Sequence, residues 1–223
     1  MPIATSIVML GATGAVGNIA ARTLAQWPDL ARLTLLGRRP ADNVLGPAVA
    51  QQAIDIFTPA SYQAYLPGHD VALCTLGVGQ PSQMSKEEFV RIDRDVVLDF
   101  ARGCKSAGVR HFELLSAVGA NAASRSLYLR TKGELQEGLK ALDFERLSLF
   151  QPSMIMTPTN RYGFTQALSL FAMPLLDPLL VGGARKYRSI RVEQLGAAIA
   201  NNVRTTGSGL EVLQFDQIVA RAI

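Results

Sequence analysis

Short, almost wholly apolar runs alternate along the chain with amphipathic stretches of helical period. The runs 6–10, 33–36, 52–55, 70–75, 111–116 and 147–150 are predicted strands. Several lack the apolar–polar alternation of a strand with one wet face, so a sheet covered on both sides is expected. Between them the pattern predicts helices over about 15–26, 85–107 and 126–142. Strand and helix in alternation call for an α/β, doubly wound parallel sheet with helical crossovers. In such a sheet ligands bind beyond the carboxyl ends of the strands.

The middle helix has the clearest signals. Ser85-Lys86-Glu87-Glu88 reads as a capping box, and Phe89, Ile92, Val96, Phe100 and Cys104 then recur at three- and four-residue spacing as one buried stripe. Gly108 supplies the stop. After Phe150 the pattern loosens. Residues 151–161 read as a loop, 164–171 and 192–203 as helices, and 211–213 as an added edge strand. No internal repeat or linker breaks the chain, so residues 1–223 are expected to form one domain, with 151–190 contributing a small substrate or lid region.

Composition narrows the classes. Of 223 residues, 48% are hydrophobic and 18% charged, as in an ordinary globular protein rather than a disordered one. The net charge of +4 comes from scattered Arg and Lys with no basic run, which argues against a nucleic-acid partner. Cys74 and Cys104 sit in apolar surroundings as buried thiols and can build neither a disulfide framework nor a metal site. The first six residues lack a basic n-region, and the apolar stretch 167–184 is interrupted by Pro174, Asp177, Pro178, Gly182 and Gly183, too short for a span of about 20 residues. No membrane association is expected, and a cytoplasmic location is.

The first predicted strand runs into Gly11-Ala12-Thr13-Gly14-Ala15-Val16-Gly17, with glycines three apart, at the mouth of a helix. Gly11 suits a tight turn, Gly14 lets backbone approach a pyrophosphate, and Gly17 lets the helix pack closely on the sheet. The free amides of the helix start favour phosphate. An acidic residue at the end of the second strand would mark NAD; Gly37-Arg38-Arg39 stands there instead. Two guanidinium groups pair with a 2′-phosphate and cannot accept from a ribose diol, so NADP(H) is expected. Asp55 and Ile56 are placed to meet adenine, and Leu76-Gly77-Val78-Gly79 to let backbone approach the ribose and nicotinamide.

Tyr128 and Lys132 lie four apart, on one face of a helix. A neighbouring ammonium is expected to lower the tyrosine pKa from about 10 and to hold ribose hydroxyls. Ser116, at the carboxyl end of the fifth strand, is placed to share a carbonyl or alcohol oxygen with Tyr128. In order, the glycine loop, Arg38-Arg39, Leu76-Gly77, Ser116 and Tyr128–Lys132 resemble an atypical short-chain dehydrogenase/reductase over essentially the whole chain. The segments 89–95, 111–116 and 127–134 resemble, more narrowly, the Tat-interacting-protein oxidoreductase branch of NAD(P)-binding Rossmann proteins. That resemblance implies a Rossmann sheet of order 3-2-1-4-5-6, Ser116, Tyr128 and Lys132 as catalytic positions, and Pro152 near nicotinamide. Two departures are visible: the helix 85–107 has no asparagine for a proton relay, and the region after Phe150 is short for a sugar-nucleotide pocket.

The expected function is NADP(H)-dependent oxidoreduction of a small carbonyl or alcohol, with Asn160, Arg161 and Tyr162 facing the substrate. The rival is a non-catalytic NADP(H)-binding sensor or regulator with a protein partner; epimerase chemistry on a nucleotide sugar ranks third. A homodimer is compatible with either.

Overall fold

The computed structural model describes residues 5–78, 84–157 and 177–223. Seven strands form one sheet: β1 (Thr5–Leu10), β2 (Leu30–Gly37), β3 (Val49–Ala53), β4 (Val71–Cys74), β5 (His111–Leu115), β6 (Arg146–Phe150) and β9 (Gly209–Leu213). Their order is 3-2-1-4-5-6-9, and every pairing is parallel. This is the Rossmann arrangement, extended at one edge by the strand foreseen at 211–213. β7 (Ile155–Met156), within the stretch 151–161 read as loop, and β8 (Ile190–Arg191) make a small separate parallel pair.

Burial on both faces explains the apolar runs. Ile7 and Met9 of β1 face a core shared with α1 (Ala15–Ala25) and α5 (Val192–Asn202). Val8 and Leu10 face the opposite core, which includes Phe100, Cys104, Leu135 and Leu139. These come from α3 (Val97–Ser106) and α4 (Leu127–Lys140). A doubly covered parallel strand has no wet face, so its sequence cannot alternate.

Three details depart from expectation. β3 lies three residues earlier than the run 52–55 suggested, because Gln51 serves the neighbouring loop: its Oε1 accepts from Ala41 N at 2.7 Å and its Nε2 donates to Val44 O at 3.0 Å. The helix 85–107 divides into α2 (Lys86–Val90), a π-helical segment Arg91–Val96 and α3. Glu88 N donates to Ser85 Oγ at 3.1 Å as the cap requires. The chain ends in an unforeseen helix, α6 (Phe215–Arg221).

A polar seam crosses this apolar framework. Glu113, Ser148 and Glu211 are register partners on β5, β6 and β9. Asn202 Nδ2 donates to Glu113 Oε1 at 2.9 Å, while Arg146 donates to Glu211 Oε1. Burial pushes the Glu113 carboxyl up to about 8 and the neighbouring His111 down to about 3.

Candidate active site

The glycine loop leaves β1 through Gly11 at φ +101°, a conformation costly for any residue with a Cβ. A Cβ at Gly17 would overlap Gly11 O and Thr75 Oγ1, so α1 can seat on the sheet only with glycine there. Gly14 is different. As N-cap of α1 it would place a Cβ no nearer than 3.4 Å to protein, at Gly11 O. α1 starts with no side-chain cap and no acidic residue in its first turn. Its unpaired amides border a cleft of about 350 Å³ lined by Thr13, Gly14, Ala15 and Asn18. Ala12 and Val16 turn inward to the core.

Arg39, Asp42 and Asn43 from the loop after β2, with Thr157 and Glu193, line the rest of this cleft. Arg38 is exposed beside it, and among the described residues neither Arg38 nor Arg39 has an ion-pair partner. At the end of β3 the Asp55 carboxylate is engaged locally: it accepts from Phe57 N at 3.0 Å and Thr58 Oγ1 at 2.7 Å, and these bonds hold its pKa below the usual value. Ile56 is buried in the core. Asp55 itself is exposed, and Phe57 beside it is half-buried against the same core, under the Arg91 guanidinium at 4.2 Å.

The three positions expected from sequence to be catalytic gather around α4. Lys132 is buried, its Nζ 2.8 Å from Asp93 Oδ2. The π-helical segment turns Asp93 inward, and its Oδ1 also accepts from Val78 N at 2.6 Å, fixing the loop after β4. A Cβ at Gly77 would lie 3.3 Å from Lys132 Nζ. Leu76, Gly77, Val78, Asp93 and Lys132 therefore form one compact corner. Tyr128 stands one helical turn before Lys132, its ring 6.2 Å from that of Phe89. Ser116 is nearly buried and accepts from Gln136 Nε2 at 2.6 Å, one turn beyond Lys132. Pro152 O accepts from Val118 N at 2.9 Å, which ties the loop after β6 to the one after β5.

The electrostatics correct one expectation. Burial pushes the Tyr128 phenol above its ordinary pKa; Lys132 draws it down only in part, and Asp93 pushes it up again. Burial also draws Lys132 down, but Asp93 and Tyr128 more than offset this, so the ammonium is held firmly. The carboxylate beside it neutralises much of the field that would have favoured phenolate. The Tyr128 hydroxyl therefore keeps its proton at neutral pH. Asp93 is the group that sequence reasoning missed, since a helical aspartate reads as solvated; Gln136 was detectable, being eight residues after Tyr128 on the same helix face. Gly79, Asn160, Arg161, Tyr162 and the segment 164–171 lie outside the described residues. Among those described, no His/Cys/Asp/Glu cluster could hold a metal and no helix is long and apolar enough to cross a membrane.

No protein-family model matches the chain. It is 33% identical over 214 residues to Protein HTATIP2 of Rattus norvegicus, covering 94% of this chain and 86% of that protein. It belongs to the same family, the Tat-interacting-protein branch of the atypical short-chain dehydrogenases/reductases. A second member of this similarity group, Protein fmp52, mitochondrial, of Emericella nidulans, is 29% identical over 155 residues, 67% of this chain and 66% of its own length. Among solved structures, MoeE5 in complex with UDP-glucose and NAD superposes with a TM-score of 0.69 at 15% identity, covering 97% of this chain and 80% of that one. The Rossmann fold is thus shared with that longer chain.

The cytoplasmic expectation is corrected by the fungal relatives, several of which are named mitochondrial. Absence of a secretory n-region speaks only to the secretory pathway, and cytoplasm did not follow from it.

Proposed function

We propose that this protein binds NADP(H) along the carboxyl ends of β1, β2 and β4 and reduces a small carbonyl compound. The observation that carries the reading is Lys132, buried one turn from Tyr128 against the Gly77–Val78 loop, because that corner offers a neutral proton donor beside a fixed ammonium. The residues present fit a phosphorylated dinucleotide: the uncapped start of α1 at Gly14 offers amides to a pyrophosphate, and Arg38 and Arg39, without an ion-pair partner among the described residues, offer guanidiniums to a 2′-phosphate. When bound, nicotinamide supplies a hydride. Lys132 holds ribose hydroxyls, Ser116 orients the carbonyl oxygen, and Tyr128 gives it a proton. Because burial keeps Tyr128 protonated, reduction is the favoured direction at neutral pH.

The full chain with NADPH and a panel of small aldehydes and ketones should lose nicotinamide absorbance, and Tyr128→Phe should abolish the loss. Calorimetry should give tighter binding of NADPH than NADH, with the preference removed by Arg38→Ala/Arg39→Ala. Equal affinity for the two would overturn the NADP(H) assignment, and no turnover across the panel would overturn the reductase. One observation favours the sensor reading: Lys132 is already neutralised by Asp93. In that case Gly14→Asp abolishes binding of a protein partner while Tyr128→Phe leaves it intact.

A further inference from the structure

Three glutamines far apart in sequence form a hydrogen-bonded file that ends on Ser116. Gln214 Nε2 donates to Gln151 Oε1 at 3.1 Å, Gln151 Nε2 to Gln136 Oε1 at 3.1 Å, and Gln136 Nε2 to Ser116 Oγ at 2.6 Å. Gln136, Gln151 and Ser116 are each less than one-tenth exposed. Every amide in the file donates in the same sense. Its outer end is anchored by a reciprocal capping box at the start of α6, where the Gln214 side chain accepts from the Gln217 backbone and Gln214 N donates to Gln217 Oε1 at 3.2 Å. With its oxygen turned to that backbone donor, Gln214 has its Nε2 left to donate inward, and each following amide must keep the same orientation.

We propose that Gln214, Gln151 and Gln136 are positioning residues that make Ser116 a one-way donor toward a substrate oxygen. This inference rests on the reductase reading of the site. Gln136 occupies a lone pair of Ser116 Oγ, so the serine proton has no partner in Gln136 and is directed to the substrate. Aligned amides polarise one another, which strengthens the last bond of the file.

The discriminating variant is Gln214→Ser. Serine caps a helix well but is too short to reach Gln151. With NADPH and the best carbonyl of the panel, Gln214→Ser should lower kcat about three- to tenfold, the effect of one hydrogen bond, while KM for NADPH and the melting temperature stay at wild-type values. Gln136→Glu, which keeps the shape but cannot donate, should lower kcat at least as far. Side-chain amide NMR gives a readout independent of turnover: the Gln136 resonances should shift in Gln214→Ser. Wild-type kcat together with unmoved Gln136 resonances would overturn the file. If wild-type protein consumes no NADPH, the reductase reading fails by itself, and the Gln136 resonances still decide whether the file directs Ser116.

Discussion

The buried Asp93–Lys132 pair is the most consequential interaction in the site, and its strength can be measured. Both side chains are almost wholly buried, and the carboxylate also holds Val78 N. Removing one member of such a pair leaves the other charge without solvent or partner, at a cost of about 3–5 kcal/mol. Asp93→Ala should therefore lose about that much in urea unfolding at pH 7, with an unchanged m-value. Lys132→Met should cost less, because the remaining carboxylate keeps its bond from Val78 N. The double variant Asp93→Ala/Lys132→Met, with neither charge, should be more stable than the sum of its single changes by about 1–3 kcal/mol. A pH check separates electrostatics from packing. Without Asp93, burial alone draws Lys132 down, so the ammonium escapes its penalty by losing a proton, and the Asp93→Ala deficit should shrink as pH rises. Strictly additive costs with a deficit constant in pH would refute the argument.

The two inner glycines should separate by assay: Gly17→Ala, which would collide with Gly11 O and Thr75 Oγ1, should destabilise by about 1–3 kcal/mol, whereas Gly14→Ala should cost less than about 1 kcal/mol yet weaken NADPH binding measured by calorimetry. Glu113 binds its proton more tightly when folded than when unfolded, so its stability contribution is present at low pH and is lost as pH rises toward about 8. His111, held down to about 3, has its opposite effect below its ordinary value of 6.5 and is silent above it. Between pH 6.5 and 8 the wild type should lose up to about 2 kcal/mol in denaturant titrations, a loss absent from Glu113→Gln. Because burial raises Tyr128, carbonyl reduction should show no decline from pH 7 to about pH 9; a fall centred near neutral pH would show that Lys132, not Asp93, controls the phenol.

Much of the fold was legible because local physics and tertiary packing agree. The apolar runs that became β1, β4, β5 and β6 needed no alternation once both sheet faces were to be covered, and the glycine spacing announced the first turn and helix. β3 was displaced because Gln51 spends its side chain on loop carbonyls and amides, a tertiary use that propensity does not encode. α6 was missed because its seven residues carry too short a pattern to stand out. Ser116, Tyr128 and Lys132 could be placed on their elements, but their protonation could not.

By itself the sequence determined what depends on neighbours along the chain: the order of the main-sheet strands and their crossover helices, the glycine turn, the two arginines after β2, and the four-residue step from Tyr128 to Lys132. Only the tertiary structure decided what depends on dielectric and on distant partners. The π-helical segment rotates Asp93 inward, and burial then reverses the expected pull on Tyr128. Three glutamines spread from 136 to 214 become one file only when β6, α4 and the start of α6 are packed together. Charge and hydrogen-bond direction act through space, and a linear pattern carries no measure of either.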